Sequence, residues 1–333
     1  MRPNARDVAV VVVDWNSGDL VDRCLAAVGR QTLPPGRVVV VDNASTVETR
    51  RRVRGDTSRL EMVRLPENRG FAAGNNHAIA LASDAEWIAL LNPDAFPEPD
   101  WLEKLLAAAR EHPECSFFAS RQVLADDPTR LDGTGDSYAV SGLAWRRDHG
   151  RPALGTREER EEVFGACAAA ALYRRSAVVG VGGLDESFFC YFEDVDLAFR
   201  LRLAGHRCLY VPEAVVHHVG SGISGRRSDF SVYHGHRNLV WTFWKNMPTP
   251  LLARYWPHHL AVNGVSIAHF TTHGRGPVIF RAKRDALRGM PRVLRQRRAI
   301  QRGRRVAAGE LRRMMVSGRR SLGVGIFDPD QGR

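Results

Sequence analysis

Short apolar segments alternate with helix-like segments over the first 120 residues, and this alternation constrains the fold more than any other feature. The segment Val8–Val13 contains no polar residue, which is typical of a strand buried on both faces of a parallel sheet. Further strands are predicted at 38–41, 60–65 and 87–91, and helices at 18–30, 47–54, 71–83 and 101–111. This order predicts an α/β protein with a doubly wound, mostly parallel sheet.

Polar side chains follow several of these strands. Doubly wound sheets bind ligands at the carboxyl ends of their strands, where Asp14, Asp42, Asn92 and Asp94 fall. Asp42 can accept hydrogen bonds from a nucleotide base or ribose, but it can also simply cap the next turn. Asn92 and Asp94 offer the oxygen ligands that Mg²⁺ or Mn²⁺ prefers, although Asn-Pro-Asp is also a good turn sequence.

A glycine-containing segment, NRGFAAGNN from Asn68 to Asn76, stands where a strand leads into a helix. Gly70 and Gly74 would allow the backbone to approach a ligand closely, and a plain helix start is equally compatible with the spacing. The segment has neither the Gly-Lys-Ser/Thr of a P-loop nor the pattern GxGxxG. Those two modes of nucleotide binding are therefore not supported.

Three carboxylates, Glu193, Asp194 and Asp196, begin a predicted helix over 193–204 behind an aromatic run. Acidic residues stabilise helix N-termini, so capping is one interpretation. A general base that takes a proton from an incoming hydroxyl is the other.

Two histidines, His217 and His218, follow a predicted strand at 208–211. A histidine at such a position can bind a metal ion or contact phosphate, although histidine pairs are more often structural. His234, His236 and Arg237 are further candidates for phosphate contacts.

The composition changes after about residue 235. Residues 274–320 hold 16 Lys and Arg against two acidic residues, whereas residues 1–273 are close to neutral. We therefore expect a catalytic domain at 1–235 and a helical region at 236–333, whose aromatic and basic side chains suit an anionic membrane surface. The aromatic residues are Trp241, Phe243, Trp244, Tyr255, Trp256 and Phe270. A solvated basic tail or a nucleic-acid-binding tail is the alternative, but the acidic strand ends oppose docking of a phosphate backbone at that face.

Six motifs, taken in this order, resemble those of glycosyltransferase family 2, and look closest to its bacterial rhamnosyltransferase-like branch. They are VVVVDWNSGD, VDNAS, NRGFAAGNN, LLNPDAFPEPDWL, the stretch from Gly165 to Leu201, and VPEAVVHHVGSGIS. The resemblance runs from Val8 to Asn238. It implies the GT-A nucleotide-sugar fold and a single displacement that inverts the anomeric carbon.

The resemblance also implies roles for matching positions. Asp194 would be the catalytic base, with Glu193 beside it. Asp94 and His218 would bind Mg²⁺ or Mn²⁺, with His217 as the alternative to His218. The donor-binding residues would be Asp14, Asn16, Asp42, Asn43, Asn68, Gly70, Gly74, Asn75, Asn92, Asp94 and Arg237. The loop near the sugar or acceptor would contain Gly183, Asp185 and Glu186.

The reaction expected from this resemblance is transfer of L-rhamnose from dTDP-rhamnose to a saccharide or polyprenyl-linked saccharide. It would serve cell-wall or surface polysaccharide synthesis at the cytoplasmic face of the membrane. A UDP-linked galactofuranose, glucose or N-acetylhexosamine is the alternative donor. We expect no nucleic-acid partner and leave a homodimer open. Five scattered cysteines without a CxxC pair fit a reducing compartment.

Overall fold

A computed structural model of the chain describes residues 7–46, 59–220 and 228–318. The helix predicted at 47–54 lies entirely outside these ranges. The strands in the described ranges are β1 (Val8–Asp14), β2 (Arg37–Asp42), β3 (Leu60–Arg64), β4 (Trp87–Leu91), β5 (Ala95–Pro97), β6 (Cys115–Leu124), β7 (Leu131–Gly133), β8 (Asp136–Tyr138), β9 (Ala144–Arg146), β10 (Glu161–Val163), β11 (Ala170–Arg174) and β12 (Arg207–His218). The helices are α1 (Leu20–Gly29), α2 (Gly70–Leu81), α3 (Trp101–Glu111), α4 (Arg175–Gly180), α5 (Glu193–Leu203), α6 (Asp229–Asn246), α7 (Thr249–Thr272), α8 (Gly276–Arg302) and α9 (Ala308–Met314).

A mixed sheet forms the centre of the protein. Its strand order is β10-β12-β6-β11-β4-β1-β2-β3, with β5 paired to β12 and β7 paired to β6. Strand β1 is parallel to β2 and β4, and β2 is parallel to β3, whereas β11 runs antiparallel between β4 and β6. The prediction of an α/β fold with a mostly parallel sheet is confirmed.

The apolar run in β1 is explained by helices on both faces of the sheet. Successive side chains of a strand point to opposite faces. Val8, Val10 and Val12 accordingly pack with α1 and α3, while Val11 and Val13 pack with α2 and α5 on the other face. Both faces of β1 are therefore buried, and no polar residue interrupts the strand before Asp14.

One prediction about the second half of the sheet needs correction. The strand predicted at 208–211 runs on through Pro212 as far as His218. The pairing of β12 with β6 shifts register between Val211 and Val215, and such an irregularity accommodates a proline that cannot donate to the ladder. The stretch 120–164, which lacked a clear sequence pattern, contains the end of β6 and the short strands β7 to β10.

The C-terminal helices pack against the sheet domain instead of forming a separate tail. Trp241, Phe243 and Tyr255 are almost fully buried in two clusters that also contain Phe188 and Phe199. The prediction that these three aromatic residues face a membrane is therefore wrong, because they complete the core. In the ranges that the structure describes, no helix is long and apolar enough to cross a bilayer.

Candidate active site

The carboxyl ends of β1, β2 and β4 meet at one edge of the sheet. Asp14 and Asp42 are register partners at the ends of β1 and β2. Asn92 and Asp94 follow β4, which pairs with the other side of β1. The polar side chains that the sequence placed after separate strands are thus brought to a common edge.

His218 reaches this edge from β12, and His217 does not. His218 pairs with Ala95 in the ladder between β12 and β5, and its Nε2 lies 3.3 Å from Oδ1 of Asp94. His217 points to the opposite face, where its Nε2 lies 2.6 Å from Oε1 of Glu98. Of the two candidate histidines, His218 is the one beside Asp94.

A second layer of charged groups holds His218. Its Nδ1 lies 2.8 Å from Oδ2 of Asp132, a fully buried carboxylate that also pairs with Arg146. Burial acts to raise the pKa of Asp132, but Arg146, His149 and His218 together hold it well below the usual range. Burial likewise opposes ionisation of Asp94 and of His218. The contact between them nevertheless lowers the pKa of Asp94, and both carboxylates raise that of His218.

The residues at this point fit a divalent metal ion. Oδ1 of Asn92 is buried without a hydrogen-bond partner, and Oδ1 of Asp94 and Nε2 of His218 are buried with only their 3.3 Å contact to each other. Buried polar atoms without full hydrogen bonding are unusual. Within the described ranges no group of three or more His, Cys, Asp or Glu side chains is placed so that it could hold a metal ion by itself. The protein ligands would therefore be Asp94, His218 and Asn92, with oxygens of a bound diphosphate and water filling the other positions.

Asp194 lies in the first turn of α5 and is tied to the same edge of the sheet. Its Oδ2 accepts a hydrogen bond from the backbone N of Ala168 (3.2 Å), and its Oδ1 accepts one from Val195 (2.8 Å). The neighbouring carbonyl of Ala169 accepts from the backbone N of Asn92 (2.9 Å). One hydrogen bond to the Asp194 carboxylate and one between backbone groups thus connect the acidic start of α5 to the segment that carries Asp94.

Glu193 and Asp194 ionise less readily than Asp94. Burial raises the pKa of Asp194, against the effect of its backbone donors and Arg146. Burial and the charge of Asp194 raise the pKa of Glu193 well above its usual range, and Oε2 of Glu193 has no hydrogen-bond partner. A carboxylate with a raised pKa is suited to accept a proton.

A sequence profile described as Glycosyl transferase family 2 matches residues 9–181, just over half of the chain. The chain belongs to glycosyl transferase family 2. A curated relative, the N-acetylglucosaminyl-diphospho-decaprenol L-rhamnosyltransferase of Mycobacterium tuberculosis, is 32% identical over 248 residues, which cover 65% of this chain and 77% of the relative. Galactofuranosyltransferase GlfT1 of Mycolicibacterium smegmatis is 30% identical over 207 residues, or 60% of this chain and 66% of the relative. The family predicted from the sequence is confirmed.

Solved structures share the fold of this family 2 chain. GalNAc-T7 with UDP, GalNAc and Mn²⁺ matches with a TM-score of 0.63 at 15% identity, over 78% of this chain and 51% of that one. The mannosyltransferase PcManGT of Pyrobaculum calidifontis, in complex with GDP-Man and Mn²⁺, matches with a TM-score of 0.50 at 20% identity, over 92% and 86%. At these identities the likeness shows the fold alone, which is the GT-A fold expected from the sequence.

The other predicted donor-binding residues make contacts within the protein. Oδ1 of Asp42 accepts from the backbone N of Ser45 (2.7 Å), and its Oδ2 accepts from Arg64 (2.8 Å). Oδ1 of Asp14 accepts from Ser17. The turn-capping alternative for Asp42 is therefore observed, and contact of Asp14 or Asp42 with a nucleotide stays a prediction.

Asparagine side chains fix the start of α2 and the loops beside it. The amide of Asn43 donates to Oδ1 of Asn68 (2.9 Å) and to the carbonyl of Gly70 (3.1 Å). Asn75 donates to a carbonyl one turn earlier in α2, and Asn16 accepts from a backbone N–H beyond β2. These contacts position the backbone beside the carboxyl ends of β1 and β2. Contact of these asparagines with a nucleotide-sugar donor stays a prediction.

The two glycines of the NRGFAAGNN segment are required by packing. A Cβ on Gly70 would lie 2.5 Å from the carbonyl oxygen of Phe189, and Gly70 has a φ of +83°. A Cβ on Gly74 would lie 2.7 Å from Cγ1 of Val13. Helix α2 therefore approaches β1 and the backbone at Phe189 more closely than any larger residue at these two positions would allow. Contact of these glycines with a donor stays a prediction.

The predicted acceptor loop is anchored to α2. A Cβ on Gly183, which has a φ of +70°, would lie 2.7 Å from Oδ1 of Asn76. Glu186 accepts from Asn76 (3.1 Å) and from Arg69 (3.3 Å). The loop that contains Gly183 and Glu186 thus borders α2. Its role near the transferred sugar or the acceptor stays a prediction.

Asp185 and Arg237 have partners inside the protein. Oδ2 of Asp185 accepts from Lys245 (2.6 Å) and from Gln296 (3.0 Å), and although burial acts to raise its pKa, Lys245 lowers it. Arg237 donates to the carbonyls of Ser187 (3.2 Å) and of the following residue (2.9 Å). Binding of acceptor by Asp185 and of donor by Arg237 both stay predictions.

Sequence reasoning missed Asp132 and Arg146. Both belong to the stretch 120–164, which showed richness in Asp, Gly and Arg but no periodic pattern. Strand β7 carries Asp132 beside β6, and β9 carries Arg146 beside β8. The acidic residues of this stretch were the only indication that His218 has a carboxylate partner there. The pairing itself depends on strands that are too short to predict.

Proposed function

We propose that this glycosyltransferase is an inverting, metal-dependent enzyme that transfers L-rhamnose from dTDP-rhamnose to a hydroxyl of a lipid-linked saccharide. The observation that carries the proposal is the contrast at one sheet edge. Asp94 and His218 hold buried ligand atoms 3.3 Å apart, and the half-buried Asp194 at the start of α5 has a raised pKa. The relative that acts as a rhamnosyltransferase on N-acetylglucosaminyl-diphospho-decaprenol supports the choice of sugar and acceptor.

Each residue has a defined task in this mechanism. Asp194 accepts the proton of the acceptor hydroxyl while that oxygen forms its bond to the anomeric carbon. The bond from the anomeric carbon to the diphosphate breaks on the opposite face, and the nucleoside diphosphate leaves with the electron pair. Asp94, His218 and Asn92 would hold a divalent ion, which when bound neutralises charge on the departing diphosphate. Asp132 and Arg146 keep His218 oriented.

A UDP-sugar is the second candidate donor, because the chain is also similar to a galactofuranosyltransferase. Calorimetric titration with dTDP-rhamnose and UDP-galactofuranose, each with and without Mn²⁺, tests both candidates. We expect tighter, Mn²⁺-dependent binding of dTDP-rhamnose, and the opposite preference would select the second candidate. The anomeric configuration of the product, determined by NMR, tests inversion: a retained configuration would contradict the mechanism.

We also propose that the protein docks on the cytoplasmic face of an anionic membrane, where a lipid-linked acceptor resides. Helix α7 has no Asp, Glu, Lys or Arg after Arg254. Its exposed side chains include Trp256, Leu260 and Val265. An outward face without charges suits insertion at the headgroup boundary.

Helix α8 adds both apolar and cationic side chains. Phe280, Leu287 and Leu294 recur every seven residues and are exposed, so they lie along one stripe of the helix. Arg288 and Arg295 are exposed one position after the second and third members of this stripe. Arginines near an anionic surface contribute roughly 1 kcal/mol each to membrane binding.

Charge substitutions on these two helices test the docking proposal. The paired changes Leu260→Glu with Val265→Glu, and Leu287→Glu with Leu294→Glu, should each reduce flotation with vesicles containing phosphatidylglycerol. Leu154→Glu changes an exposed leucine outside these helices and serves as the control. Unchanged flotation in both paired variants would contradict the proposal. Truncation near residue 240 is unsuitable, because it removes Phe243 and Tyr255 from the core.

A further inference from the structure

The turn that precedes α5 has an unusual backbone. Phe189, Tyr191 and Phe192 have φ values of +66°, +66° and +68°. Large side chains rarely adopt this left-handed conformation, and strained residues persist only where their surroundings hold them. Because Glu193 and Asp194 follow directly, whatever holds this turn also sets the direction from which α5 begins.

Asn238 of α6 holds the turn from one side. Its Nδ2 lies 3.0 Å from the carbonyl oxygen of Phe188, 3.0 Å from that of Cys190 and 2.7 Å from that of Tyr191. The side chain is fully buried, so water does not replace these bonds. The two N–H groups of one amide therefore lie within hydrogen-bond distance of three carbonyls of a strained segment.

Arg237 fixes the orientation of that amide. Its Nε donates to Oδ1 of Asn238 (2.9 Å), which leaves the amide NH₂ facing the turn. Its Nη2 donates to the carbonyl of Phe188 (2.9 Å), which Asn238 also contacts. The guanidinium lies 4.4 Å over the ring of Trp241, which keeps it against the body of the protein.

Backbone donors hold the remaining carbonyls of the turn. The carbonyl of Phe189 accepts from the backbone N of Ala72 (3.3 Å) in α2, where Gly70 permits the close approach. The carbonyl of Phe192 accepts from the backbone N of Asp196 (2.8 Å) in α5. The carbonyl of every residue from 188 to 192 thus accepts a hydrogen bond. Asn238 is a donor to three of these five carbonyls.

We propose that Asn238 is a positioning residue for the catalytic base. It holds the strained turn 189–192 in the conformation that places Asp194 at the sheet edge where Asp94 and His218 lie. This inference rests on the proposed role of Asp194. A purely structural asparagine would affect folding stability alone. A positioning asparagine also affects the chemical step, because a displaced base loses its alignment with the acceptor hydroxyl.

Kinetics of Asn238→Ala and Asn238→Asp test the proposal. The first removes the donor, and the second places a carboxylate against three carbonyl oxygens. We expect kcat to fall by about 100-fold in each, whereas the affinity for dTDP or UDP with Mn²⁺, measured by calorimetry, stays within about threefold because the ligands near Asp94 are untouched. A kcat close to that of the unaltered protein would overturn the proposal.

Asn246→Ala is the matched control. Asn246 is equally buried in the same helix, and its amide donates to Oδ1 of Asp196 (2.7 Å), not to the turn. We expect a comparable loss of thermal stability with kcat within about threefold. Arg237→Lys keeps the charge but loses the Nε donor, so it should lower kcat without raising KM for the donor. A selective rise in that KM would instead indicate that Arg237 binds the donor.

Hydrogen exchange provides a readout that does not depend on sugar transfer. Asn238→Ala should accelerate amide exchange in peptides covering 188–196, and Asn246→Ala should do so much less. Unchanged exchange in Asn238→Ala would overturn the proposal even for an enzyme with another substrate. Absence of transfer by the unaltered protein, with accelerated exchange in the variant, would instead count against the proposed function and leave the positioning role supported.

Discussion

Two groups of carboxylates at one edge of the sheet have opposite tendencies to ionise. Asp94 and Asp132 contact His218, and both have lowered pKa values although they are buried. Glu193 is buried and Asp194 is half-buried, neither is paired directly with a cation among the described residues, and the pKa values of both are raised. Environments that separate the pKa values of neighbouring carboxylates assign them different chemical tasks. One group is suited to hold a cation and the other to accept a proton.

The largest effect is expected for Asp194→Asn, which preserves shape and removes the proton acceptor. The rate of sugar transfer should fall by about 10³-fold, since general base catalysis contributes roughly 10²–10⁴. Binding of the nucleotide with Mn²⁺ should remain, because it depends on the Asp94 group. Initial rates and calorimetry measure the two quantities. Retention of most of the transfer rate would refute the division of tasks.

His218→Ala should weaken Mn²⁺-dependent nucleotide binding by about 10- to 100-fold. The variant removes one candidate ligand and leaves the buried Asp132 and Asp94 without their shared partner. His217→Ala is the control, because His217 faces Glu98 on the opposite side of β12 and should have little effect. Equal losses in the two variants would argue against a metal site at His218.

The raised pKa of Asp194 predicts a pH dependence. A base acts only when ionised, so kcat/KM should rise about tenfold per pH unit on the acid side and level off above the pKa of Asp194. That pKa should lie above 3.8, the usual value for aspartate. A rate profile with its acid limb at or below about pH 4, the ordinary range of a carboxyl group, would contradict this environment for the base.

The smallest effect is expected in stability, for Glu193→Gln. The folded pKa of Glu193 is raised above its unfolded value, so its contribution to stability is present below pH 4.5 and is lost as pH rises toward the folded pKa. Replacement by glutamine removes that loss and should raise the free energy of unfolding at pH 8 more than at pH 4. Denaturation midpoints at pH 8 and pH 4 measure it, and a gain that is larger at pH 4 would contradict the sign.

Local patterns in the sequence predicted the first half of the fold well. The apolar run of β1 and the bounds of β4 and α3 agree with the structure, because strand and helix periodicity is a short-range signal. Asp94 and Asp194 were identified from motifs that resemble those of a known family. Their shared edge follows from the segment before β11, where Ala168 bonds to Asp194 and Ala169 bonds to Asn92.

Long-range contacts could not be predicted in the same way. Asp132 meets His218 across 86 residues, and Asn238 meets Tyr191 across 47. Nothing in the local pattern around either residue specifies its partner. Trp241 and Tyr255 show a second limit, because an aromatic residue that faces a protein core and one that faces a membrane share the same local sequence pattern.

Gly289 shows how closely the C-terminal helices are joined to the catalytic body. A Cβ at this position would lie 2.6 Å from the ring of Trp241, which in turn packs on Phe188. Gln296 and Lys245 reach the same loop through Asp185. A chimera intended to change acceptor preference should therefore exchange the loop 183–192 with α6 and α8 as one cassette, because grafting the loop alone would leave it without its complementary surface.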